Sequence, residues 1–175
     1  MQTFLPYSDF RECAKILDNK RLNKQIVEAY QIYTGRVPQK NHPACLMWRG
    51  HEVHLALYIF AMGKEYKTRF HRTHKVIHEL FGEGPYYTIM DAAAEACTLP
   101  ASLTSMLIQI SHCVNLIRKD GIYYGSQLRT RLYGLSHIVY GRYVELDEFP
   151  EGYYWPVEPV GKKARQDREN WLNFK

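Results

Sequence analysis

Hydrophobic positions recur along this chain mostly at helical spacing, and alternating strand patterns are nearly absent. Phe10, Cys13, Ala14 and Leu17 fall on one face of a short helix that Ser8 is placed to cap. Asp18 can cap a second helix over about 19–34 that stops at Gly35. Its inner stripe is Leu22, Ile26, Ala29, Tyr30 and Tyr33. After the polar loop 36–41, Pro43 is suited to the first position of a short helix ending near Gly50. Val53, Leu57, Phe60 and Ala61 predict a longer helix over 51–69, and a short one over 71–81 ends at the Gly82-Glu83-Gly84 break. Asp91 is placed to cap the Ala-rich stretch 92–97, which Pro100 ends. Thr104 can start a helix reaching Lys119, with Leu107, Ile110 and Leu116 inward, and another is expected over 126–141. Residues 145–161 carry three prolines and read as an extended wrap, and 162–175 form a basic tail. The expected class is therefore all-α: a compact helical bundle with a Pro/Tyr-rich wrap.

Length changes little in this picture. The 175 residues suit one domain, 1–175, and 46% hydrophobic content is enough for a core. No apolar run approaches the roughly eighteen residues of a membrane span. The N-terminus has no secretion-signal pattern. Four cysteines at 13, 45, 97 and 113 form no C-x-x-C pair and read as reduced thiols. The expected location is cytoplasmic and the expected state a monomer.

Charge changes more. Twenty-three Lys and Arg against 18 acids give a net charge of +5, beside 14 tyrosines. That balance suits a nucleic-acid surface, although tyrosines also fill helical cores. The densest basic run is Lys67-Thr68-Arg69-Phe70-His71-Arg72-Thr73-His74-Lys75, in which Arg69 and Arg72 are candidate phosphate contacts. His71, His74 and His78 would share a helix face, which is metal-ligand spacing. No Asp or Cys completes that set, so phosphate-contacting or solvated histidines are the expected reading, with no metal. On the helix at 104–119, His112, Asn115 and Lys119 share a face beside Arg118, either reading a nucleic acid or forming a buried polar network.

The most informative helix is 19–34. Its second stripe is Arg21, Gln25 and Glu28, flanked by Lys24 and Gln31. One carboxylate thus lies among cations and amides. A solvated face with a Lys24–Glu28 pair would explain it, worth a few tenths of a kcal/mol. A phosphate-binding surface around a catalytic carboxylate would explain it as well.

Several segments carry a resemblance. Met1 through Leu5-Pro6-Tyr7, Leu17-Asp18, Lys20-Arg21-Leu22, Lys24-Gln25-Ile26-Val27-Glu28-Ala29, Asn41-His42-Pro43-Ala44 and Met47-Trp48-Arg49-Gly50 resemble pyrimidine-dimer DNA glycosylases of the endonuclease V type. His112, Asn115-Leu116, Arg118-Lys119-Asp120 and Tyr154-Trp155-Pro156 follow in the family's order. The resemblance implies a small helical enzyme that binds damaged duplex DNA, kinks it and flips out a nucleotide. The chain's α-amine would attack the sugar C1′ to form an imine, and a glutamate would assist β-elimination. Glu28 would inherit the glutamate's place and Met1 the amine's. Arg21, Lys24, Gln25, His42, Arg49, Arg118 and Lys119 would line the site or hold the backbone. The chemistry needs no metal or organic cofactor. Arg21 stands where the characterised branch has a histidine, and Val27 where it has an arginine.

An α-amine suits imine formation because its ordinary pKa, about 7.7–8.0, leaves a useful neutral fraction near pH 7. Gln2 disfavours removal of Met1, so the amine would be that of Met1. Two other classes stay open: a non-catalytic nucleic-acid or nucleotide binder on the same scaffold, and a metal-dependent hydrolase built on His71, His74 and His78.

Overall fold

Asp18 begins the element on which the rest depends. Its side chain accepts the Arg21 backbone N–H and caps α2 (Asn19–Tyr33), satisfying a donor that no helical carbonyl reaches. Thr34 and the left-handed Gly35 (φ 69°) stop this helix where expected. Leu22, Ile26, Ala29 and Tyr30 are buried, while Tyr33 is largely exposed. The computed structural model describes residues 2–82, 85–97 and 99–175, the side chains of residues 85, 86, 95 and 96 excepted.

Before α2 comes α1 (Phe10–Ile16), capped by Asp9 rather than by Ser8. After it come α3 (Pro43–Leu46) and α4 (Glu52–Phe70). Helix α4 is the centre of the first half: it packs on α1 and α2 and buries Leu55 through Gly63 and Tyr66. Gly63 is needed there, because a Cβ would lie 2.3 Å from the Ile77 side chain of α5 (Lys75–Phe81). Val53, an expected core position, lies in the first turn of α4 and is 71% exposed.

Helix α6 (Pro85–Ala96) contains Asp91 instead of starting after it, and Asp91 pairs with Lys64 of α4. The short α7 (Ala101–Thr104) precedes α8 (Met106–Lys119), so Thr104 ends a helix instead of starting one. Asp120 accepts the Tyr123 N–H and caps α9 (Gly121–Tyr140), five residues ahead of the expected start. Helices α8 and α9 pack as an antiparallel pair.

Residues 141–161 form the expected irregular wrap, and α10 (Lys162–Asn173) turns the basic tail into a helix anchored by buried Trp171 against Phe149. The wrap's backbone is held from α8. Arg118 donates to the carbonyls of Leu146, Phe149 and Pro150, and Asn115 Nδ2 donates to Gly152 O. The described residues contain ten helices and no strand, an all-α bundle.

Candidate active site

Residues 2–5 run extended between α2 and α8, and side chains from both helices replace the strand partners this backbone would otherwise need. Gln25 of α2 accepts the Phe4 N–H at 2.9 Å and donates to Gln2 O at 2.8 Å, a two-point bond like one rung of a sheet. Tyr58 of α4 donates to Gln25 Oε1 and to Phe4 O. Trp48 Nε1 donates to Thr3 Oγ1.

From the other side, Leu5 N–H donates to His112 Nδ1 at 2.7 Å. The neutral ring therefore carries its proton on Nε2, which faces the Gln2 carboxamide 2.8 Å from its nitrogen. Gln2 Nε2 also donates to Thr3 O at 3.0 Å, and Gln2 Oε1 is buried with no hydrogen-bond partner among the described residues. Burial lowers the His112 pKa to about 3, which keeps the ring neutral.

Gln2 is thereby laid against Glu28. The Gln2 N–H donates to Glu28 Oε2 at 3.0 Å, and Lys24 Nζ lies 3.6 Å from Oε1. Glu28 is only partly accessible, at the wall of a cleft of about 680 Å³. Lys20, Arg21, Lys24 and Lys119 line the same cleft, with Tyr153 opposite. Burial would raise the Asp18 carboxyl, but hydrogen bonds from Tyr124 and Arg21 hold it below its ordinary value. Asp120 is occupied as the α9 cap. Burial pushes the Tyr153 hydroxyl up to about 12, so it stays neutral in this field. The cleft thus presents a carboxylate beside the chain's beginning, within a rim of cations.

The residues expected at the site divide into two groups. Arg21, Lys24, Glu28 and Lys119 meet in the cleft. Gln25 and His112 are buried behind it and hold the N-terminal segment, so they are not free to touch DNA. Asn115 and Arg118 are committed to the wrap. His42 caps α3 through Nδ1 and lines a neighbouring recess of about 980 Å³ that shares Tyr153 with the cleft. Arg49 is exposed at a separate small depression between α2 and α4. Met1 falls outside the described residues. Lys20 and Tyr153 join the cleft without having been singled out; the i, i+1, i+4 placement of Lys20, Arg21 and Lys24 on α2 was the available signal for the former.

The basic run also divides. Arg69 pairs with Glu65 and donates to the carbonyls of Ala14, Lys15 and Leu17, closing the C-terminus of α1. It is therefore not a free phosphate contact, whereas Arg72 is exposed. The three histidines do not share a helix face. His71 ends α4 in the left-handed region (φ 53°), and His74 is the buried N-cap of α5. Among the described residues, no group of three or more His, Cys, Asp and Glu is placed to hold a metal ion.

Residues 1–78 match the family model described as pyrimidine dimer DNA glycosylase. The match covers the N-terminal part of the chain, which is similar to that family. Comparison with curated proteins and with solved structures gave no match. The matched segment contains Gln25, Glu28 and His42. The cleft is completed from outside it, by Lys119 at the end of α8 and Tyr153 of the wrap. The relation supports a DNA-glycosylase type of function, with DNA as the partner. No helix among the described residues is long and apolar enough to cross a membrane.

Proposed function

We propose that this protein is a DNA glycosylase that excises a damaged or modified base from duplex DNA, with Glu28 as its catalytic carboxylate. The observation that carries the reading is the 3.0 Å hydrogen bond from Gln2 N–H to Glu28 Oε2, inside a cleft rimmed by four cations. One peptide bond from that nitrogen is Met1, whose α-amine is the nucleophile for C1′. The attack forms the N–C1′ bond as the base leaves, and ring opening then breaks C1′–O4′, leaving O4′ as a hydroxyl on C4′ and C1′ in the imine. A carboxylate beside the amine can take its proton before attack and return it to the sugar during opening. The same carboxylate can remove the C2′ proton for β-elimination. Lys20, Arg21, Lys24 and Lys119 hold the phosphates on either side of the opened nucleotide.

A panel of duplexes with defined lesions, pyrimidine dimers among them, tests this reading through base release and strand scission. The expected result is turnover on at least one lesion, falling by about 10²-fold or more in Glu28→Gln with duplex binding retained. Duplex binding with no turnover on any lesion would favour a non-catalytic binder on this scaffold. Base release that needs Glu28 but survives a blocked amine would indicate a glycosylase that uses water as its nucleophile.

A further inference from the structure

Gln25 is a polar side chain with 1% of its surface exposed, in the middle of a helix whose buried neighbours are apolar. A buried carboxamide persists where its bonds are specific, since desolvating it otherwise opposes folding. Here every bond goes to one task. Oε1 accepts from Phe4 N–H and Tyr58 OH, and Nε2 donates to Gln2 O. Three residues further along the same helix, Glu28 accepts the N–H of that same Gln2. Gln25 and Glu28 therefore hold one residue by its C=O and its N–H, and their spacing on α2 is rigid.

We propose that Gln25 is a positioning residue: its paired bonds to Gln2 and Phe4 fix residues 2–4 at the height on α2 where the Gln2 N–H meets Glu28. The proposal rests on the glycosylase reading for its purpose, but the positioning itself is testable without DNA. Released from Gln25, residues 2–4 would keep the bonds to Trp48 and His112 but lose the register that sets Gln2 against Glu28. The charged and titratable groups around this spot are Asp18 at the head of α2, Lys20, Arg21, Lys24 and Glu28 of α2, His42 ahead of α3, Lys119 of α8, Asp120 after it and Tyr153 of the wrap.

The experiment uses the full chain, with an N-terminus at Met1 verified by mass spectrometry. The pH dependence of α-amine acylation, read on the N-terminal peptide, gives the amine's pKa. Borohydride trapping on an abasic duplex is followed in parallel. In Gln25→Met, which keeps length and removes both bonds, the amine pKa should move to the ordinary α-amine range of about 7.7–8.0 and trapping should slow at least 10-fold. Leu132→Ala, a core truncation on α9, controls for lost stability and should leave the amine pKa at the wild-type value. An amine pKa unchanged in Gln25→Met overturns the positioning role. A shifted pKa in a protein that never traps DNA leaves Gln25 as the positioning residue and removes the α-amine as the nucleophile of the glycosylase reading instead.

Discussion

At the scale of single residues, side chains of one polar stripe have opposite duties. Arg21, Gln25 and Glu28 follow one another along α2, yet Gln25 is buried and Glu28 opens on the cleft. Helical spacing places residues on a face; it does not show that residues 2–5 will cover part of that face. Glu28→Gln keeps an oxygen acceptor for the Gln2 N–H, so its unfolding free energy should stay within about 1 kcal/mol of wild type while turnover collapses. A loss of more than about 2 kcal/mol, measured by denaturant titration, would mean that the carboxylate serves the fold. His112 gives a second residue-scale expectation. Its folded pKa, about 3, lies below the ordinary histidine value of about 6.5. The unfolded chain therefore binds more protons between these values, and stability is lost as pH falls through that window. His112→Gln should flatten this slope in pH-dependent unfolding, leaving the smaller contributions of His42 and His74, which burial also lowers.

At the scale of elements, cations that read as nucleic-acid contacts secure chain ends and connections. Arg118 binds three carbonyls of the wrap, and Arg69 binds three at the end of α1. Arg118→Ala strands buried acceptors and should destabilise the protein by about 2–4 kcal/mol, read by thermal or denaturant unfolding. An effect below about 0.5 kcal/mol, coupled to weakened DNA binding, would return Arg118 to the interface. The helices themselves were largely legible. Asp18 and Gly35 bound α2 in the sequence as they do in the fold, and the apolar period located α4 and α8. What escaped was decided by capping and by distant partners. Asp9 displaces Ser8, Asp120 starts α9 early, and His74 caps α5 where a continuous helix was expected. The cleft was half legible: α2 supplies Arg21, Lys24 and Glu28 from a local pattern. Tyr153 arrives from a wrap whose path depends on Asn115 and Arg118, more than thirty residues away.

At the scale of the molecule, the fold gathers cations on one cleft while occupying others internally, so the net charge of +5 understates how local the attraction is. Affinity for duplex DNA should fall steeply with salt, and Arg72→Glu should weaken binding to all sequences alike. Arg69→Glu should instead lower stability first, because its partners are carbonyls of α1. Salt-independent binding in a fluorescence-anisotropy titration would argue against a phosphate-contacting surface. The central claim is that the chain's beginning and Glu28 form one reacting pair, and borohydride trapping on an abasic-site duplex addresses it most directly. Wild type should give a covalent adduct that maps by peptide mass to the N-terminal residue, lost in Glu28→Gln and in a form extended ahead of Met1. An adduct mapping to a lysine, or one that persists in both altered proteins, would contradict the account.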